Sequence, residues 1–235
     1  MPYLQEMCPA QLRQAQEEGW PLLIGAGTIE YHGSQLPLGT DLLLVEGLVR
    51  EIEKRTPAVI APPFAYSPTG CAVSGPEQGT VDVSTAAFMR YCGEVLQSYE
   101  KMGFGRILVF VHHQGGNIGP MLQTAVADFQ MYGAVRELGP GWWTNRLQRR
   151  AQTEIRIVEA FRGHGAFGGH GGQGETQGIL ALYPDLVYLE ELQEEEAWWN
   201  RTAPQADADT ACREMEAVVE EWVEVLRRLT SSGNA

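Results

Sequence analysis

The sequence has no long apolar run. None of its hydrophobic stretches approaches the roughly 20 residues needed to cross a bilayer. Its opening, MPYLQEMCPAQLRQAQEEGW, lacks the basic start and apolar stretch of a secretory leader. The expectation is a cytoplasmic protein with no membrane partner. Positive charge is scarce as well: 17 Lys and Arg stand against 30 Asp and Glu, a formal net charge of −13. That field repels nucleic acid and anionic lipid. The one tight basic cluster, Arg146 with Arg149 and Arg150, is too small to reverse it. Cysteine is sparse and unpatterned: Cys8, Cys71, Cys92 and Cys212 show no CxxC spacing, which argues against a disulfide framework or zinc knuckle and for buried, reduced thiols. Asn200-Arg201-Thr202 matches a glycosylation sequon, but with no secretory signal it reads as chance. No internal repeat or linker divides the chain.

What is present suits one α/β domain over residues 1–235, with 44% apolar residues to build its core. Apolar runs of strand length alternate with longer segments of helical period, the usual sign of a largely parallel sheet. Strands are expected at Pro21 to Ala26, Ala58 to Pro62, Arg106 to Val111 and near Arg156 to Phe161. Thr40 is placed to cap a helix whose Leu44, Val45, Leu48, Val49 and Ile52 form one stripe ending near Pro57. Further helices are expected at Pro9 to Glu18, Thr85 to Met102, Gly119 to Tyr132 and Asp207 to Leu229. The Glu-rich run from Glu190 to Glu196 reads as a solvated helix face.

All five histidines fall in three places: GTIEYHGSQLPLGTD from residue 27, VHHQGGN from residue 111 and GHGAFGGHGGQGET from residue 163. Each place follows a strand or a strand-like run. In an open α/β sheet, loops leaving the carboxyl ends of parallel strands converge on one crevice, so these distant stretches can meet. In the first, Glu30 and His32 lie two apart and leave the same face of an extended backbone, and a Gly- and Pro-containing turn brings Asp41 to the next helix. Carboxylate, imidazole and carboxylate form a ligand set for zinc, manganese or iron. The bland alternative has Asp41 supporting the helix N-terminus, Glu30 solvated and His32 a satisfied loop histidine.

In the second stretch, His112 and His113 are adjacent in a strand and point to opposite faces, so at most one faces the crevice. Either could instead be a packed core histidine. Asn117, entering the next helix, serves as cap or substrate contact. In the third, seven of the thirteen residues from Gly163 to Glu175 are Gly, permitting close backbone approach and positive φ. Gly163, Gly165 and Gly168 satisfy G-x-G-x-x-G, but no helix pattern follows them, so a dinucleotide site is set aside. The loop is better used to hold His170 and Glu175 over a reaction centre, one as proton shuttle and the other as base or extra ligand. A merely flexible loop is the plain alternative.

These residues together resemble the creatininase (creatinine amidohydrolase) family. Its E-x-H-G element reads here as Glu30-Tyr31-His32-Gly33, followed by Leu38-Gly39-Thr40-Asp41. Its N-G-H-G-G-N element appears as His112-His113-Gln114-Gly115-Gly116-Asn117, and its H-G-G/A-x-x-E-T element as His170 to Thr176. Ala181-Leu182-Tyr183-Pro184-Asp185-Leu186-Val187 is a further match, and the likeness runs in order from about residue 3 to 190. The resemblance implies a three-layer α/β/α sandwich with a mostly parallel central sheet, commonly a homohexamer, with a metal centre that activates water to cleave a non-peptide C–N bond. Members open the creatinine ring, deformylate a pyrimidine intermediate, trim a redox-peptide precursor, or split a carbon bond in an oxidised inositol.

Three departures narrow what carries over. Without a gap, the family's metal-binding His falls on Gln114, and a one-residue shift recovers His113, the better ligand. Gly116 stands where creatininases carry a Glu two residues after that His, so a second cation depends on Glu175. Ala166 stands where they place a Trp over the substrate, which turns expectation away from creatinine. The reading is therefore that Glu30, His32, Asp41 and His113 hold one or two divalent ions, zinc first, with manganese or iron as alternatives. His170 passes a proton to the leaving group, and Glu175 orients water or ligates. Gln114, Asn117 and Tyr66 contact the substrate, with Tyr66 to Glu77 or Trp142-Trp143 as covers. The substrate is expected to be a small cyclic amide, amidine or formamide. One alternative is C–C hydrolysis of a cyclic diketone such as an oxidised inositol. Another, favoured by Gln114, is a non-catalytic oligomeric binding protein on the same scaffold.

Overall fold

A computed structural model describes residues 3–113, 117–131, 153–164, 167–192 and 198–231. Four strands, β1 (Leu22–Ala26), β2 (Val59–Ile60), β3 (Arg106–Val111) and β4 (Glu154–Glu159), form one sheet in the order β2-β1-β3-β4. All three pairings are parallel, with Leu22 opposite Val59 and Ile107, and Ile107 opposite Ile155. The helices are α1 (Pro9–Glu17), α2 (Thr40–Glu53), α3 (Thr85–Met102), α4 (Ile118–Met131), α5 (Gln173–Leu182) and α6 (Ala208–Ser231). Among the described residues no helix is long and apolar enough to cross a membrane.

Strand side chains alternate between two cores. Leu23, Leu108 and Phe110 face α2, α5 and α6, where they meet Leu44, Leu48, Ile52, Ile179, Val219 and Val223. Leu22, Ile24, Ile107 and Val109 face α1, α3 and α4, where they meet Ala15, Phe88, Leu96 and Leu122. This is the expected three-layer sandwich. Every residue of β1 is buried, as a strand covered on both faces requires.

Three expectations are corrected. The fourth strand starts two residues early, at Glu154 rather than Arg156. Among the described residues it pairs only with β3, and its exposed Glu154 and Arg156 hide the onset of an apolar run. Thr40 is the first helical residue rather than the cap: Gly39 holds that place, and the Thr40 hydroxyl donates to Pro37 O at 2.7 Å. Helix α5 was not expected at all. It begins five residues after Gly168, and its Gly178 lies so close to α2 that a Cβ would come within 2.5 Å of Leu44. Glycines placed for close packing thus resemble loop composition.

The thiol reading holds for Cys92 alone, which is buried in the core with its pKa pushed up to about 12 by that burial. Cys71 is half-buried, and Cys8 and Cys212 are exposed, Cys8 at the cap of the short α1 and Cys212 on the outer side of α6. Asn200 of the sequon is buried. Glu190 and Glu191 are exposed on a short 3-10 helix, Leu189–Glu191. Residues 193–196 of the acidic run, Trp142-Trp143, Gln114, Gly116, Ala166 and the Arg146 cluster lie outside the described residues.

Gly27 fixes the join between sheet and site. A Cβ there would lie 2.7 Å from Leu42 N and 2.8 Å from the Asp41 carbonyl carbon, so only glycine lets the end of β1 touch the first turn of α2. Gly27→Ala is expected to cost about 1–3 kcal/mol, the usual range for overpacking, and to displace Asp41. Unchanged thermal stability would contradict this.

Candidate functional site

Beyond the carboxyl ends of β1 and β3 the backbone leaves the sheet, and here the first two histidine-bearing stretches meet the third. Glu30, His32, Asp41, His112, His113 and Glu175 are each no more than 8% exposed. The three carboxylates have no Lys or Arg partner among the described residues; their ion-pair neighbours are histidines. Uncompensated buried carboxylates are costly, so such a cluster needs protons or cations to hold it.

Asp41 is the centre of the arrangement. Its Oδ1 faces His32 Nε2 at 3.6 Å and His112 Nε2 at 3.7 Å, while its Oδ2 faces His113 Nδ1 at 3.0 Å. Glu175 lies on the first side, with Oε2 3.6 Å from His32 Nε2 and Oε1 3.3 Å from His112 Nε2. Glu30 lies on the second, its Oε2 3.4 Å from His113 Nδ1. The ligand atoms of Glu30, Asp41 and His113 fall within 4.8 Å of one another, as do those of His32, Asp41 and Glu175. Two three-residue sets therefore share one aspartate, each compact enough to surround a cation.

Backbone carbonyls set the tautomers, because a carbonyl can only accept. His32 Nδ1–H donates to Glu30 O at 2.9 Å, His113 Nε2–H to Pro68 O at 3.1 Å and His170 Nε2–H to Tyr31 O at 2.8 Å. In neutral form each ring then aims its other nitrogen's lone pair at the carboxylates. Glu30 Oε2, Asp41 Oδ2, His32 Nε2 and His112 Nε2 are buried with no hydrogen-bond partner. Lone pairs facing lone pairs repel, and a divalent ion between them removes the conflict. The residues present fit such an ion.

Glu175 is held by the loop before it: the Gly171 N–H donates to its Oε2 at 2.6 Å. Gly171 has φ 58, and a Cβ there would reach His32 O at 2.5 Å and the Trp199 ring at 2.6 Å. His170 stacks on His32 with ring centroids 4.2 Å apart and meets the Trp199 ring edge at 4.8 Å. Its Nδ1 is 4.0 Å from Glu30 Oε2.

Without a cation the electrostatics reorganise around protons. Burial alone would lower the His32 pKa, but the Glu175 and Asp41 carboxylates outweigh it and raise it from 6.5 to about 10. Burial opposes ionisation of Asp41, yet the charge on His32 and the His113 and His112 rings beside it hold it well below its ordinary 3.8. His113 is raised, burial being overcome by Asp41 and Glu30. Glu30 is raised chiefly by burial, and His170 is lowered by burial and the charge on His32. A raised histidine stabilises the fold fully below its unfolded value and loses that contribution as pH rises through its folded one; a depressed aspartate contributes above its unfolded value and loses it on acidification. Metal-free protein is thus expected to be most resistant to urea between about pH 4 and 6.5 and to weaken toward pH 10. Unfolding midpoints in chelator across that range check this; a midpoint that rises steadily to pH 10 is the contrary result.

The structure brings Glu30, His32, Asp41, His113, His170 and Glu175 together, as anticipated. It corrects the expectation that only one of His112 and His113 faces the crevice: β3 ends at Val111, so strand alternation no longer applies to either. His112, an open alternative to His113 and Gln114 as the ligand of the second motif, thus joins His113 in the cluster instead of competing with it. Glu30 is not solvated, and Asp41 faces histidines rather than capping α2. His164 is outside the carboxylate cluster, paired with Glu221 at 3.0 Å, but lines the cavity beside His112 and His113. Asn117, with φ 49, lines a cavity of roughly 520 Å³ beside His112, His113, Phe161 and Arg162. Tyr66 is 56% exposed and does not line that cavity.

The chain is similar to several known proteins. The chain is 26% identical over 196 residues to the 3-dehydro-scyllo-inosose hydrolase of Thermotoga maritima, a match covering 80% of this chain and 58% of that protein. It is 29% identical over 177 residues to the mycofactocin precursor peptide peptidase of Mycolicibacterium smegmatis, covering 73% and 61%. It is 24% identical to the creatinine amidohydrolase of Pseudomonas putida, covering 72% and 66%. The chain thus spans about three fifths of the length of the first curated relatives it matches. A solved mutant creatininase superimposes with a TM-score of 0.76 at 17% identity, covering 98% of this chain and 99% of the other. Related structures are described as "Creatininase Mn" and as a mutant creatininase of "Zn-Zn type", with TM-scores of 0.74. The sequence matches the family described as "Creatininase: Creatinine amidohydrolase" over residues 5–222, and the chain belongs to that family.

Proposed function

We propose that the protein is a metal-dependent hydrolase of small molecules, with one cation between Glu30, Asp41 and His113 and a second between His32, Asp41 and Glu175. The observation that carries this reading is the two-sided Asp41, whose oxygens face imidazoles that have tied their other nitrogen to backbone carbonyls. Divalent cations held there supply a Lewis acid and can lower the pKa of water from 15.7 to roughly 7. Zinc fits the imidazole-containing sets best, with manganese or iron as alternatives.

The chain's own groups supply the rest. His170, anchored through Nε2–H, keeps Nδ1 free to carry a proton to the leaving group. Glu175 is oriented by the Gly171 N–H and both ligates and positions water. The cavity beside His112 and His113 has room for a small substrate, with Asn117 at its wall. We take the substrate to be a cyclic amide, amidine or formamide cleaved at a C–N bond. A second reading, C–C cleavage of a cyclic diketone, is favoured by the inosose-hydrolase relative, whose match covers 80% of this chain. Purified protein loaded with zinc or manganese, offered cyclic amides, formamides and cyclic diketones, separates the two by which class is consumed. Turnover of none, with no cation bound after loading, would favour a binding protein instead.

A further inference from the structure

We propose that His112 is a fourth ligand to the cation on the His32 side of Asp41, which makes that half of the centre a two-imidazole, two-carboxylate site suited to zinc. The inference rests on the preceding reading that cations occupy this cluster, and it adds a residue that the two three-residue sets leave out. His112 Nε2 is buried, has no hydrogen-bond partner, and points at the same Asp41 oxygen that His32 faces, 3.7 Å against 3.6 Å. It also lies 3.3 Å from Glu175 Oε1, while His32 faces the other oxygen of that carboxylate at 3.6 Å. Two carboxylates thus stand between two imidazoles. A histidine that merely fills the core would satisfy its ring nitrogens or turn them to water; this one directs an unpartnered nitrogen at two acids.

The remainder of the ring is held for that purpose. Its plane meets Phe161 edge to face, with centroids 5.2 Å apart at 89°. The chain enters through His112 N–H, which donates to Ala26 O at 3.0 Å, so the last bond of the β1–β3 ladder fixes the position of the residue. The two halves of the centre then differ in softness. Two nitrogens and two carboxylates would supply four protein donors to zinc on this side, which would leave the open position for water to the His113 side. One nitrogen and two carboxylates, from His113, Glu30 and Asp41, suit a harder ion such as manganese equally well.

The test uses full-length protein stripped with chelator and titrated with cobalt(II), zinc or manganese, followed by metal content, dissociation constants and electronic absorption. Wild type is expected to take up two cations. His112→Asn is expected to weaken one of them at least tenfold, to leave the other unchanged, and to reduce preference for zinc over manganese at the weakened position. His112→Cys in the cobalt(II) form is expected to show a near-ultraviolet sulfur-to-metal band absent from wild type. Should His112→Asn not fold, as judged by circular dichroism, the band in the cysteine variant decides alone. Two cations at wild-type affinity in His112→Asn, or no new band in His112→Cys, overturns the role of His112 and leaves the two-cation reading standing. A wild type that binds no cation overturns both.

Discussion

Asp41→Asn is expected to empty both halves of the centre at once. The substitution keeps the size of the side chain but removes the charge that two sets of ligands share, Oδ1 toward His32 and His112 and Oδ2 toward His113. The other two carboxylates make their shortest contacts on one side each: Glu30 with His113, and Glu175 with His32 and His112, although Glu30 also lies within 4.8 Å of a set with His32 and His170. Glu30→Gln should therefore lower metal content by one ion and Asp41→Asn by two. Loss of a cation that stabilises developing charge removes several kcal/mol from the transition state, so turnover should fall on the order of a thousandfold or more in the aspartate variant. Mass-spectrometric metal analysis of both variants, beside turnover on whichever substrate the screen yields, measures this. An Asp41→Asn protein that keeps one ion at full occupancy would show that the aspartate serves one side only.

The second large effect is expected at His170, and it should be of a different kind. His170→Gln should keep both cations while turnover falls by roughly two to four orders of magnitude, the usual contribution of a positioned proton-transfer group. Its ring is anchored to Tyr31 O, stacked on His32 and walled by Trp199. Burial and the neighbouring positive charge hold its pKa down, which keeps it neutral and able to accept a proton near neutral pH. Nδ1 is 4.0 Å from Glu30 Oε2, so the contrary outcome is well defined. If His170→Gln loses a cation as well as turnover, the ring is a ligand; if neither changes, it has no part in the chemistry.

Much of this was legible in residue order because parallel strands put their loops at one end. Strand β3 and helix α3 fall at their expected bounds, since continuous apolar runs and clean capping signals define them. Glu30, His32, Asp41, His170 and Glu175 could be gathered from the rule that strand ends converge, whereas that rule leaves His112 and His113 open and the choice of His113 comes from the family resemblance. Two things could not be read. The alternation of a strand says where side chains point only while the strand lasts, and β3 stops one residue before His112, so both histidines turn inward. Helix α5 was hidden because Gly174 and Gly178, which look like loop residues, are buried and Gly178 accommodates Leu44 of α2. In both cases the deciding information lies in a partner element distant in sequence.

The hydrogen bond from Gln35 Nε2 to Gly171 O, at 2.7 Å, joins residues 136 apart in the chain. A contact of such sequence separation carries a large loop-closure cost, so the centre is expected to form late in folding, and φ-values near zero for substitutions at Gln35 and Gly171 would check this. Before that moment the three acids are separate and hydrated; afterwards they are crowded and dry. On that order of events the repulsion arises after the rate-limiting barrier. A cation added during refolding should slow escape from the native state far more than it hastens arrival there.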